Sequence, residues 1–161
     1  MLSALDLARR TEAGELTPAR VVELCAEAIA KRESEIGAFV TLDLDGARKA
    51  AQAEGLKDKP LRGLPVGLKD IFDTADMPTE YGSPIYAGYR PKADASLVAL
   101  IRRAGGTLLG KTVTTEFAHV DPGKTRNPHK LTHTPGGSSS GSAAAVAAGF
   151  VPIATGSQTG G

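Results

Sequence analysis

The chain reads as an α/β protein with a substantially parallel sheet. Strand-like and helix-like segments alternate along it, the pattern of helices packed around such a sheet. Two apolar runs, "LPVGLKDIF" (64–72) and "TLLGKTVTT" (107–115), read as buried strands. Aromatic residues make up 4% of the chain and Trp is absent, so its core is built from Ala, Val, Leu and Ile.

The elements follow in order. Ser3 caps a short first helix, with Asp6 three residues on and Gly14 as its stop. Thr17 and Pro18 open a second helix, a cap followed by proline at the first helical position. Val21, Leu24, Cys25, Ala28 and Ile29 give that helix one apolar face, and Cys25 reads as a core residue of it. "AFVTLD" (38–43) alternates like a strand, and 45–54 reads as a helix ended by Gly55. A turn-rich link leads to the buried strand at 64–72, and residues 73–93 form a long irregular loop. A helix over 94–104 places Leu97, Leu100, Ile101 and Ala104 on one face. The strand at 107–115 follows, then a Pro/Gly/His loop over 118–137, a small-residue helix over 142–148 and a last strand, "VPIATG". There is no internal repeat and no flexible linker.

The bulk numbers narrow the function. A net charge of +1 in 161 residues argues against a broad nucleic-acid or anionic-membrane surface. The N-terminus lacks the apolar stretch of a secretory signal, and no run approaches the ~18 apolar residues of a membrane span. The single cysteine permits no internal disulfide and fits a reducing compartment, so a cytoplasmic location is expected. The three histidines, His119, His129 and His133, lack metal-ligand spacing, so no metal is expected. From Thr134 to Gly161 there is no Asp, Glu, Lys, Arg or His, which marks this stretch as buried or as the lining of a site.

Two familiar patterns fail on context. "GGTLLGKT" (105–112) matches the phosphate-binding loop letter for letter, but that loop needs a strand before it and a helix starting at its lysine. Here an amphipathic helix precedes and a strand follows, so Gly105 is a helix stop and Lys111 an ordinary strand-end lysine. "GSSSG" (137–141) matches the nucleophile elbow, but no acid or histidine follows to complete a triad.

What remains is a strand-end lysine and the block "PGGSSSGSAAAVAAGFVPIATGSQTGG" (135–161). With "GLPVGLKDIFDT", "RRAGGTLLGKTVTTEFA" and "NPH" in that order, the chain from about residue 60 onward resembles the amidase signature family. "DMPTEYGSPIY" and "GSQTGG" are most similar to its malonamidase-like branch. The resemblance implies one large domain of helices around a central mixed β-sheet. This chain would be the N-terminal part of it, with 1–60 a helical segment and 61–161 part of the catalytic core. It also implies a Ser–cis-Ser–Lys triad that hydrolyses a small carboxamide through an acyl-enzyme, without a metal or organic cofactor. Lys69, in Gly67-Leu68-Lys69-Asp70, takes the position of the base. Ser138, joined to Gly137 by a cis peptide bond, takes that of the bridging serine. The family's nucleophile lies twenty-four positions further on, immediately after Gly161, so this chain by itself is expected to be inactive. Thr159, Gly160 and Gly161 would supply oxyanion-hole amides, and Ser139, Ser140 and Ser157 supporting hydrogen bonds.

The chemistry explains these residue types. A serine hydroxyl needs a base to take its proton, and lysine serves only when neutral. An exposed lysine titrates near ~10.4; burial in an uncharged pocket lowers that value. The charge-free stretch after Thr134 supplies such a pocket, and Asp70 is expected to point away from it. The expected partner is a small amide, with no nucleic acid, no membrane and possible homodimerisation of the full-length protein. Three other readings stay open. One is the amidase subunit of a tRNA-dependent amidotransferase, which the near-neutral charge and "TEYGSP" disfavour. The others are a P-loop nucleotide-binding module and a non-catalytic gene fragment.

Overall fold

The computed structural model describes residues 3–158. The first helix, α1 (Ala4–Glu12), is capped by Ser3, whose hydroxyl accepts from the Asp6 amide at 3.2 Å. The second, α2 (Pro18–Ile36), starts at Thr17, whose hydroxyl accepts from the Arg20 amide, and ends at Gly37 in the left-handed conformation. The Glu33 carboxylate then receives the amides of Ala38 and Phe39 at 3.0 and 2.8 Å, fixing the turn into β1 (Phe39–Leu42). Asp43 caps α3 (Leu44–Ala50), which stops four residues short of the expected Glu54. Each such cap contributes about 1 kcal/mol.

The remaining elements are β2 (Pro65–Lys69), α4 (Ser96–Arg103), β3 (Thr107–Thr112), α5 (Ser140–Ala147) and the two-residue β4 (Ile153–Ala154). The sheet order is β1-β3-β2-β4. The β2–β3 and β2–β4 pairs are parallel and β1–β3 is antiparallel, so the sheet is mixed. Residues 1–60, expected to be a helical segment, thus contribute the edge strand β1 to the same sheet as β2, β3 and β4.

One irregularity decides which residues face which side. Along β2–β3, Val66 pairs with Leu108 but Gly67 pairs with Gly110. Leu109 is therefore an extra residue, a β-bulge in a parallel pair, where bulges are rare. Leu108 joins the core layer of Val66, Leu68, Met77, Val98 and Ile101 under α4. Leu109 joins the opposite layer with Val22, Cys25, Ala144 and Phe150 under α2 and α5. Beyond the bulge Lys111 pairs with Leu68, and Thr112 with Lys69.

Two expectations are corrected. On α4 the buried face is Val98 and Ile101, whereas Leu97 and Leu100 are exposed. The helix rests on the sheet through the 98/101 pair, and its apolar residues spread over more than one face. Lys111 is no ordinary strand-end lysine: its side chain is fully buried. Cys25 lies in the core as read. No helix among the described residues is long and apolar enough to cross a membrane.

Candidate active site

Lys69 ends β2 on the α5 side of the sheet. Its side chain is fully buried, and its amine donates to Ser138 Oγ and to Ser157 Oγ, each at 2.7 Å. Both acceptors are neutral. Burial lowers the pKa of the Lys69 ammonium below the ordinary lysine value, and no charged partner raises it back. The backbone holds the residue as well: the Lys69 amide donates to Thr155 Oγ1 at 2.9 Å.

Ser138 sits in the loop before α5, and the Gly137–Ser138 peptide bond is cis. Its carbonyl accepts from the Thr115 amide at 3.0 Å, which ties the loop to the segment after β3. A side chain on Gly137 would press on the methyl of Thr115, 2.8 Å from an added Cβ, so glycine fits the close approach. Ser139 stands at the start of α5. Its hydroxyl accepts from the Ser157 amide at 3.1 Å and meets the Ser157 carbonyl at 3.3 Å, holding Ser157 against Lys69. Ser140 is buried, and its Oγ lies 3.4 Å from the Val113 carbonyl. It braces the helix against β3 and shares no hydrogen bond with Lys69. Thr159, Gly160 and Gly161 lie outside the described residues.

The fold supports this arrangement closely. Gly141 lies in the first turn of α5 where it crosses the sheet, and an added Cβ there would collide with the Ala38 carbonyl and the Val113 amide. Thr112 and Ser142 hydroxyls meet at 2.6 Å and join β3 to α5. Sequence reasoning missed Thr155 and Thr112. Their signal was their strand position, β-branched residues that also carry a hydroxyl.

Ser138 opens onto a cleft of about 600 Å³ lined also by Thr115, Ala118, His119, Val120 and Thr134. Among the described residues its lining holds no carboxylate, lysine or arginine. One rim is a loop in which Phe117 and Ala118 both have positive φ, 48° and 57°. Such backbone is costly for residues other than glycine and clusters at ligand sites. Phe117 packs edge-on against Tyr86, which meets Tyr81 and Tyr89 in a small aromatic group.

The phosphate-loop reading of 105–112 stays rejected. Gly105, at φ 81°, follows α4 and precedes β3, the reverse of a phosphate loop. The Lys111 amine is occupied by the Pro78 carbonyl at 3.1 Å, Thr79 Oγ1 at 2.6 Å and Asp70 Oδ1 at 2.9 Å. Asp70 thus turns away from Lys69.

Comparison with known proteins identifies the family. The amidase family profile matches residues 20–161. A glutamyl-tRNA(Gln) amidotransferase subunit from Acidothermus cellulolyticus is 43% identical over 99% of this chain and 34% of its own length. Its counterpart from Symbiobacterium thermophilum is 42% identical over the whole chain and 36% of its own. The chain therefore spans about a third of the length of these relatives. Among solved structures, the peptide amidase of Stenotrophomonas maltophilia superposes with a TM-score of 0.85 at 36% identity, over 94% of this chain and 35% of that one. With the family profile covering most of its residues and the α/β architecture shared with known amidases, the chain belongs to the amidase signature family.

Proposed function

We propose that the full-length protein hydrolyses a carboxamide to a carboxylate and ammonia or an amine, with Lys69 as base and Ser138 as proton relay. The observation that carries this reading is a buried amine whose side-chain partners are two serine hydroxyls, beside a cleft whose described lining holds no carboxylate, lysine or arginine. A neutral Lys69 takes the Ser138 proton while Ser138 takes that of the nucleophilic serine, expected at the position after Gly161. The freed oxygen attacks the amide carbon. The proton returns through Ser138 to the leaving nitrogen as the C–N bond breaks. Water then attacks the ester along the same relay, and the acid is released. Thr159, Gly160 and Gly161 are the proposed amide donors to the oxyanion. Ser157 and Ser139 hold the Lys69 amine in line, and Gly137 allows the close turn. The lining of the cleft suits a neutral acyl group of mixed polarity.

The test is ammonia release from primary carboxamides by the protein carrying the residues after Gly161, compared with its Lys69→Met variant. Turnover that survives the substitution would sink the assignment of the base.

A second reading has its own support. The two relatives from Acidothermus and Symbiobacterium are subunits of glutamyl-tRNA(Gln) amidotransferases. In that case the same site would release ammonia for a partner to use. Hydrolysis of simple amides at full rate without partner or tRNA favours the stand-alone enzyme. Activity that appears only on adding partner subunits favours the amidotransferase.

A further inference from the structure

Lys69 has a neighbour that the proposed reaction does not use. Asp70 follows it in the chain, and strand alternation sends its fully buried side chain to the opposite face of the sheet. There Asp70 Oδ1 lies 2.9 Å from Lys111 Nζ, and Oδ2 accepts from the Glu80 amide at 3.0 Å. The Asp70 carbonyl accepts from the Tyr81 amide at 3.1 Å. Lys111 also donates to Pro78 and Thr79 of the same turn, so its ammonium holds that turn as well as the carboxylate. The pair fastens the turn that leaves β2 to β3.

A buried ion pair is a poor stabiliser, because two apolar side chains of similar volume serve as well or better. Its position gives it another use. On the opposite face, β4, α5 and the loops around them come from 134–158, a stretch without a titratable side chain. From β3 the residue paired with Lys69 is Thr112. From α2 the buried titratable group is the Cys25 thiol, which desolvation keeps protonated. The carboxylate next to Lys69 in sequence thus lies on the other face, where Lys111 supplies its counter-charge.

We propose that Asp70 and Lys111 are positioning residues for Lys69: Lys111 compensates the adjacent carboxylate on the far face and the pair pins the following turn, so that the Lys69 amine meets hydroxyls and no uncompensated charge. The proposal rests on reading Lys69 as a base, yet its test reads the amine itself. Full-length protein labelled with ¹³Cε-lysine is titrated, and the Lys69 signal is identified by its loss in Lys69→Arg. In Lys111→Met the uncompensated Asp70 carboxylate is expected to raise the Lys69 midpoint by about one pH unit. In Asp70→Asn/Lys111→Met the midpoint returns to the wild-type value. Asp70→Glu, which keeps both charges but displaces the carboxylate, raises it by a smaller amount and serves if Lys111→Met does not fold. A Lys69 midpoint unchanged in the folded Lys111→Met or Asp70→Glu protein, with only the melting temperature lowered, overturns the proposal. A protein that releases no ammonia from any amide defeats the functional reading and leaves this comparison intact.

Discussion

Lys69 and Lys111 stand on neighbouring strands, both fully buried, and face opposite sides of one sheet. Lys69 meets two serine hydroxyls, whereas Lys111 meets a carboxylate. Two identical side chains are thus given opposite electrostatic surroundings within one β-ladder.

Lys69→Met is expected to lower kcat for amide hydrolysis by at least about 10²–10⁴-fold, the usual contribution of a general base. Ser157→Ala removes one of two neutral hydrogen bonds, worth about 1 kcal/mol, and is expected to cost roughly 5–10-fold. Steady-state ammonia release measures both. An inactive Ser157→Ala protein that is still folded would make that hydroxyl part of the relay itself.

The pH profile follows from the direction of the Lys69 shift. The reaction needs the neutral amine, so kcat rises with pH through the native value, which desolvation places below the ordinary 10.5. Stability follows the same sign. The unfolded chain binds this proton more tightly than the native one, so unfolding free energy rises with pH between the depressed native value and 10.5. Denaturant melts of wild type and Lys69→Met across that window isolate the contribution, and the slope difference disappears above it.

Lys111→Met leaves the Asp70 carboxylate buried without its counter-charge. Such single deletions cost about 3–5 kcal/mol, whereas removing both charges costs far less. Urea unfolding of Lys111→Met and of Asp70→Asn/Lys111→Met checks the order: the double variant is expected to be the more stable.

Gly141→Ala forces α5 away from β1 and β3, because the added methyl meets the Ala38 carbonyl and the Val113 amide. Strain of this kind costs about 1–3 kcal/mol. It also shifts the helix that follows Ser138, so activity is expected to fall further than stability alone explains. Thermal melting and kcat measured side by side separate the two effects.

The Cys25 thiol is fully buried, and desolvation raises its pKa to about 12. It is expected to resist a thiol-specific disulfide reagent in the native protein and to react at once in denaturant. Fast labelling under native conditions would show that α2 does not pack as described.

The sequence displayed the elements well where capping and periodicity agreed, as at Ser3, Thr17-Pro18 and the two apolar strands. Lys69 and Ser138 were visible through an ordered set of motifs, and their meeting at 2.7 Å is a tertiary fact that no spacing contains. Lys111 was misread because a lysine in a strand is usually solvated, and its partner lies forty-one positions back across the sheet (111 less 70). The buried face of α4 was misread because Leu97, Val98, Leu100 and Ile101 offer two overlapping stripes, and the contact that chooses between them is not local.

A pleated strand counts in twos, and the extra Leu109 changes the parity of everything after it. Let Leu109 pair regularly with Gly67 instead, and the downstream side chains trade sides. Lys111 would then stand beside Lys69, lose Asp70 and bring a second ammonium into the neutral chamber of the first, where like charges repel. Composition and net charge would not change at all. The bulge, rather than the residue types around it, keeps the two amines apart.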